Sequence, residues 1–279
     1  MSLAWLGVLP FFVYTFLFLF LPAGKVIFGA FQDADGSFTM ANVSKLFDEP
    51  YLTAFKNSIE VSLVTALAGG LLGLLIAYAA IRDGTPRWVR SSLTTFSGVA
   101  ANFAGIPLAF AFIATLGIIG IVTQFMTNQL GFNPYDHGFT LFGKLGVELV
   151  YLYFQIPLMI LVIAPAIDGL RTEWREAASS LGASSFQFWR SVGLPILLPS
   201  ILAAVVLLFG NAFSAYATAY GLTGGAVGLV PIQMGFYLSG NVLSDPHLGQ
   251  ALAFGMFVVL GVMMLLYIPL QRRASRWTR

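Results

Sequence analysis

The sequence contains no cysteine, only two histidines and little charge of either sign. The missing thiols exclude disulfides and thiolate metal sites. Charged residues make up 9% of the 279, against about a quarter in an ordinary soluble domain. That is too little to cover a water-facing fold of this size. A net charge of +2 gives no electrostatic footprint for nucleic acid. What fills the chain instead is apolar: 58% hydrophobic residues, 26 phenylalanines and a mean hydropathy of +0.84. This composition excludes a disordered chain and a coiled coil. It points to an all-α, polytopic membrane protein occupying 1–279 as a single domain.

Six spans follow from the uncharged runs. The first covers about 4–29 around the apolar run Leu6 to Leu21, which Trp5 and Lys25 flank, and lacks the basic leader and small-residue cleavage site of a signal peptide, so it is expected to stay in the membrane. The second, 58–82, opens at Asn57-Ser58-Ile59-Glu60, which has the form of a capping box. It ends in the basic turn Arg82 to Arg87. Ser91 to Tyr135 is uncharged over 45 residues, which is read as span three at 91–118 and a Gly/Asn-rich connection with a short helix. Span four, 145–166, carries Pro157 and Pro165, tolerable where neighbouring helices re-satisfy freed carbonyls. Ser191 to Ser244 is uncharged over 54 residues and divides at Gly221 to Pro231 into span five, 197–220, and an outer loop. Asp245-Pro246 supplies a cap and first-turn proline for span six, 246–269.

All ten arginines fall in loops two and four and the C-terminal tail, and all four lysines on the opposite side. By the positive-inside rule this split puts the arginine face, and both termini, in the cytoplasm.

The segment 168–195 has more sequence character than a connector needs. Thr172 is placed to cap a short helix whose first turns carry Glu173 and Glu176, favourable at the positive end of the helix dipole. Trp174, Ala177, Ala178 and Leu181 share one face of it. Gly182 suits the left-handed residue that ends such a helix. A second short helix, capped by Ser184 or Ser185, runs through Phe186, Phe188, Trp189 and Val192, and Pro195 is expected to limit it.

Here the sequence resembles the membrane subunits, or permeases, of type I binding-protein-dependent ABC importers. The family signature is Glu-Ala-Ala, three residues, Gly, nine residues, a β-branched aliphatic, one residue and Leu-Pro. Glu176-Ala177-Ala178, Gly182, Val192, Leu194 and Pro195 fill every position, with Val where Ile is commoner. The resemblance implies the family's six-helix fold with a cytosolic coupling helix between helices four and five that docks on an ATPase. Trp174, Glu176, Ala177, Ala178, Gly182, Ala183, Phe186, Leu194 and Pro195 would form that docking surface. An amphipathic helix lying on the lipid surface is the bland alternative.

The resemblance further implies two ATPase subunits, a second homologous permease or a second copy of this chain, and an extracytoplasmic substrate-binding protein, in a bacterial inner membrane. ATP and Mg would sit on the partner, with no cofactor on this chain, no catalytic residues and no nucleic acid. Ala215 to Gly225 and the compact length resemble the polyamine-type permeases, whose relatives carry opines, phosphonates or ferric iron.

For a substrate path, ionisable groups near spans are the first suspects. Glu60 and Glu148 qualify, although the first can be read as a cap and the second as a partner of Lys144. Facing one cavity, they would favour a cation. Of the uncharged groups at depth, Asn102, Gln155 and Asn211 can bond neighbouring helices. Asn211, Ser214 and Thr218, spaced by three and four, with Tyr216 in the same stretch, mark the expected path face. The glycines at 69, 70 and 73 indicate close helix packing. His137 and His247 lack partners for a metal site or a dyad, and 224–228 lacks the Lys-Ser/Thr of a phosphate loop. A carrier driven by an ion gradient is the alternative function, but it would call for inverted repeats or an acid at mid-depth.

Overall fold

The computed structural model describes residues 4–81, 85–238 and 245–274. The turn at 82–84, part of the outer loop at 239–244 and the tail from 275 onward lie outside the described residues.

Apolar composition without turn residues produces long helices, and the described residues contain helices and a single β-bridge, Gln32 to Phe38, with no strand. In chain order they are α1 (Ala4–Thr15), a π turn (Phe16–Phe20), α2 (Leu21–Gly29), α3 (Ala41–Ser44), α4 (Tyr51–Ile81), α5 (Arg87–Asn102), α6 (Ile106–Leu116) and α7 (Ile121–Leu130). Then follow α8 (Lys144–Asp168), α9 (Thr172–Ser180), α10 (Ser185–Phe188), a π turn (Trp189–Gly193), α11 (Leu194–Phe213), α12 (Ala217–Thr223), α13 (Val230–Leu238) and α14 (Pro246–Ala274). Six helical runs among the described residues are long and apolar enough to cross a membrane: Gly7–Gly29, Tyr51–Ile81, Ile106–Leu130, Lys144–Asp168, Ser185–Phe213 and Pro246–Arg272.

The chain divides into two compact units, residues 1–57 with 228–260, and 58–227 with 261–279. In the first, Phe31 meets Phe254 edge to face at 5.0 Å, and the Tyr51 and Tyr237 hydroxyls are 2.7 Å apart. Gly255 leaves room for the Phe55 ring, which an added Cβ would meet at 2.5 Å. As expected, Asp245 caps α14, its Oδ1 accepting from the Leu248 N–H at 3.1 Å. The α1 to α2 run exposes Phe11, Phe12, Phe16, Phe18 and Phe20 to more than half. That surface needs lipid or another chain.

The second unit holds the candidate site, and its core is α8. Val147, Val150, Tyr151, Phe154, Met159, Ile160 and Ile163 are all buried there. The glycines of α4 let α8 approach: an added Cβ at Gly69 would meet Gln155 Cβ at 2.7 Å, and one at Gly73 would meet Met159 Cβ at 2.6 Å and the Ile156 carbonyl oxygen at 2.7 Å. Small residues serve this purpose where no hydrophobic drive joins helices in lipid. Ser62 and Thr65, buried on α4, bond their own helix at the carbonyls of Ser58 and Val61, 2.6 and 2.7 Å away. The Gln155 amide donates to the Leu208 carbonyl at 2.8 Å, joining α8 to α11.

Several expected boundaries are corrected. The second span starts at Tyr51, not 58, because the Asp48 carbonyl already accepts from the Tyr51 and Leu52 N–H groups, so Asn57 to Glu60 lie inside the helix and cap nothing. The region 91–118 holds two helices rather than one. Phe103 leaves helical geometry, Gly105 takes φ +79° and Pro107 restarts the chain in the first turn of α6. The fifth span ends at Phe213, not 220. Its Ser214 hydroxyl turns back to the Gly210 carbonyl at 2.9 Å, and the Ala215 carbonyl is taken by the buried Tyr151 hydroxyl at 2.7 Å.

Candidate functional site

α8 has 25 residues, about 37 Å at 1.5 Å per residue, enough for a hydrocarbon core of about 30 Å. Its two ends carry different ion pairs. At the C-terminal end Asp168 pairs with Arg90, and at the N-terminal end Lys144 pairs with Glu60. Arg90 and Lys144, one from each side of the charge split seen in the sequence, are therefore held at opposite ends of one helix.

The segment between α8 and α11 begins at the arginine end. Thr172 does not cap α9: the cap position is Arg171, in extended geometry with no side-chain bond, and Thr172 is the first helical residue. The Arg171 guanidinium instead lies over the Trp174 ring, 5.9 Å from its centre. α9 ends as its sequence requires, with Gly182 at φ +78° and the Ala183 N–H reaching back to the Ala178 carbonyl at 2.9 Å. Ser184 then forms a full capping box with Gln187: the Gln187 N–H donates to Ser184 Oγ at 3.3 Å, and the Ser184 N–H donates to Gln187 Oε1 at 2.7 Å.

Pro195 does not limit the second helix. α10 runs through the π turn into α11, because the Leu194 N–H bonds five residues back to the Trp189 carbonyl and the widened turn admits the proline. Gly193 lies where an added Cβ would meet the Trp189 ring at 2.7 Å.

Of the residues expected to dock, Glu176, Ala177, Gly182, Phe186, Leu194 and Pro195 are exposed, while Trp174, Ala178 and Ala183 are half-buried. Phe186 is 73% exposed, and Leu181, left out of the expected set, is 87% exposed. Its signal was available: an apolar residue directly before the helix-ending glycine on the same face as Trp174 and Ala178. The Arg90 to Asp168 pair was also missed, since no local pattern links loop two to the end of span four.

The substrate-path residues are partly brought together. Lys144 bonds Glu60 rather than Glu148, which correlates with the longer α4; Glu148 lies half-buried one turn along α8, within electrostatic reach of both. Gln155 is fully buried, and Asn211, exposed at the end of α11, donates to its Oε1 at 3.4 Å. Asn102 is exposed and bonds its own helix at Gly98. Asn211 and Ser214 are both exposed, but Thr218 does not share their face: it belongs to α12, is buried, and its hydroxyl accepts from the Gly105 N–H at 2.7 Å. Tyr216 and Tyr220 stack beside that break at 5.4 Å, each 37% exposed.

Outside the spans, the Tyr135 hydroxyl donates to the Leu116 carbonyl at 2.8 Å, and burial pushes its pKa up. His137 Nδ1 lies 3.0 Å from the Asn133 carbonyl oxygen, and His247 Nδ1 3.0 Å from that of Gly29.

The family of binding-protein-dependent transport system inner membrane components matches residues 69–279. The chain belongs to this family. Its members are transport permeases, not enzymes, and the six apolar helices agree with a multi-pass inner-membrane component. One similar relative is the spermidine/putrescine transport system permease protein PotB of Escherichia coli, 26% identical over 285 residues, 93% of each chain. The probable sulfate transport system permease protein cysT of Nephroselmis olivacea is 26% identical over 74% of this chain and 68% of its own. The sulfoquinovosyl glycerol transport system permease protein SmoG of Agrobacterium fabrum is 26% identical over 83% of this chain and 75% of its own.

Among solved structures, a bacterial ABC transporter involved in the import of the acidic polysaccharide alginate aligns with a TM-score of 0.71 at 19% identity, covering 99% of this chain and 96% of that one. The MetNI methionine ABC transporter aligns at 0.51 and 18% identity, covering 84% of this chain and all of the other. The fold is that of an ABC importer permease.

Proposed function

We propose that the chain is one permease subunit of an ATP-driven importer, with α9 and the turn at Gly182 as its ATPase docking element. The observation that carries this reading is apolar surface left bare in the segment bearing the family signature. Leu181 and Phe186 stand out beside exposed Ala177 and Gly182. Small residues admit a close partner and the large ones fill its pockets. Two ATPase subunits would bind at the arginine end, which the positive-inside rule assigns to the cytoplasm together with both termini. A second permease, related or identical, would complete the path, and an extracytoplasmic binding protein would deliver the solute at the lysine end. ATP and Mg would belong to the ATPase subunits. Both units of the chain would serve as one permease domain, since α4 and α14 each run through the two.

Transport would proceed by alternating access. ATP-driven closure of the ATPase pair would move α9, and the motion would pass through the turn at Gly182 to α10, which continues into α11 without a helix break. Asn211 and Ser214, exposed at the far end of α11, are the proposed path residues on that moving helix, together with Asn102, Glu60 and Glu148; Thr218 would support them from behind. For the solute, Glu60 and Glu148 around a single lysine leave one net negative charge, which supports a polyamine.

Copurification of Glu176→Lys and Gly182→Pro variants with the ATPase subunit tests the docking role. Both are expected to insert normally, lose the ATPase and abolish uptake, and retention of the ATPase by both overturns it. Calorimetry of the system's binding protein with spermidine and with sulfate tests the solute. Sulfate binding would overturn the polyamine reading and leave the docking role standing.

A further inference from the structure

The arginine end of the second unit carries two adjoining concavities beside the proposed docking element, sharing Leu194 and the start of α9 with it. One is an apolar groove of about 310 Å³ between α4 and α11, walled by Leu74, Leu75, Leu194, Leu197 and Ile201. The other is a smaller pocket at its head, about 90 Å³, to which Arg171, Thr172 and Arg175 contribute. Tyr78, Ile167 and Trp189 line both, so the two are continuous. Among the described residues no carboxylate lines either one.

The groove follows helical rows. Leu74, Tyr78 and Ile81 lie on successive turns of α4, and Leu194, Leu197 and Ile201 on successive turns of α11. All belong to membrane-spanning runs. At the head, the Tyr78 and Trp189 rings meet edge to face at 5.0 Å, the amphipathic ring type found where hydrocarbon gives way to headgroups. The arginines lie immediately beyond the end of α8. Arg171 presents its face to Trp174, and a guanidinium stacked in this way keeps its edge N–H donors for a phosphate.

We infer that this continuous site binds an anionic phospholipid, with an acyl chain in the groove and the phosphate on Arg171 and Arg175. The polarity order decides the occupant. A polar solute has nothing to bond in the groove, and an apolar helix of another protein would leave the polar head of the site unused. An anionic lipid matches both halves, as basic pockets between helices on the cytoplasmic side do. Such a lipid touches α4, α9 and α11 at once, bracing the start of α9 against the membrane helices. The inference does not depend on ATPase docking.

Native mass spectrometry of the full chain, delipidated in detergent and offered phosphatidylglycerol or phosphatidylcholine, tests it. The unaltered chain is expected to retain phosphatidylglycerol about thirty-fold better, the factor two juxtamembrane arginines together confer on an anionic surface. The double variant R171Q/R175Q should reduce retention to the phosphatidylcholine level, and Ile201→Trp, which fills the groove, should lower retention of both lipids. Arg171 and Arg175 are exposed, so the glutamine variants should lower the unfolding midpoint only slightly, by the loss of exposed contacts such as that of Arg171 with Trp174. Equal retention of the two lipids by the unaltered chain, or undiminished phosphatidylglycerol on R171Q/R175Q, overturns the site. So does equal binding of chainless glycerol phosphate, which would make it a site for free phosphate compounds.

Discussion

Small residues occur at two places in this molecule with opposite results. On α4, Gly69 and Gly73 face α8 so closely that a Cβ would overlap it. Around the end of α9, Ala177 and Gly182 are exposed, and nothing lies within 4 Å of a Cβ built on Gly182. The first set is consumed by the chain's own packing. The second meets no packing partner among the described residues. Glycine content alone would not separate the two, but surroundings do: Gln155 and Met159, which the α4 glycines face, are buried, and Leu181 beside Gly182 is bare.

The sharpest way to break this contrast is to add bulk at each place. Gly73→Val would drive a branched side chain into Met159 and the Ile156 carbonyl, and backbone cannot yield as a flexible side-chain tip can. Overpacking of this kind costs about 3 kcal/mol. The unfolding midpoint in detergent should fall and the monodisperse fraction with it. Leu181→Ser should do the reverse, leaving the midpoint unchanged and weakening ATPase association about ten-fold, as truncating an interface anchor does. If Leu181→Ser unfolds the protein, or Gly73→Val only weakens association, the division between packing and docking surface is wrong.

Gln155→Leu probes the packing side with a smaller step. It removes the bond to Leu208 and leaves Asn211 without its acceptor, while keeping the volume of a fully buried side chain. Interhelical bonds of this type in membranes average about 0.6 kcal/mol. A midpoint shift of that order is expected, with ATPase copurification unchanged. Altered uptake kinetics on top of it would show that the Gln155 to Asn211 link serves the path.

The same contrast explains what could be read from the sequence. The number of apolar runs was legible because a membrane span needs only length and composition, but the third lies at Ile106–Leu130 and not at the expected 91–118. The left-handed glycine at 182 and a cap at Ser184 or Ser185 were legible because both are local, the bonds reaching Ala178 and Gln187 within five residues; the reciprocal bond from the Gln187 side chain was not read. The breaks at 103–105 and 214–216 were not. Each is held by a distant group, the first by Thr218 bonding Gly105 and the second by Tyr151 bonding Ala215. Glu60 misled for a related reason. Asn57 to Glu60 has the spacing of a cap, but Lys144 and the Gly228 carbonyl, far along the chain, engage Glu60 and Asn57 inside a longer helix.

The smallest expected effect lies at Ser184. Its capping box starts α10 in an exposed turn, and no buried contact depends on the Ser184 side chain. Ser184→Ala leaves the N–H of Gln187 without its acceptor, a loss of about 1 kcal/mol confined to the first turn. Amide exchange at residues 185–188 should quicken about five-fold, the factor that energy implies, while α8 and α11 stay protected because Phe188 and Leu197 remain buried. Ser184→Asp, which can still accept from Gln187, should restore the slow exchange. Since α10 continues without a break into α11, ATPase association should weaken only slightly in Ser184→Ala. A large loss there would mean that the docking surface needs a rigid turn at Gly182 as much as it needs Leu181 and Phe186, and the exposed apolar groups would no longer account for binding alone.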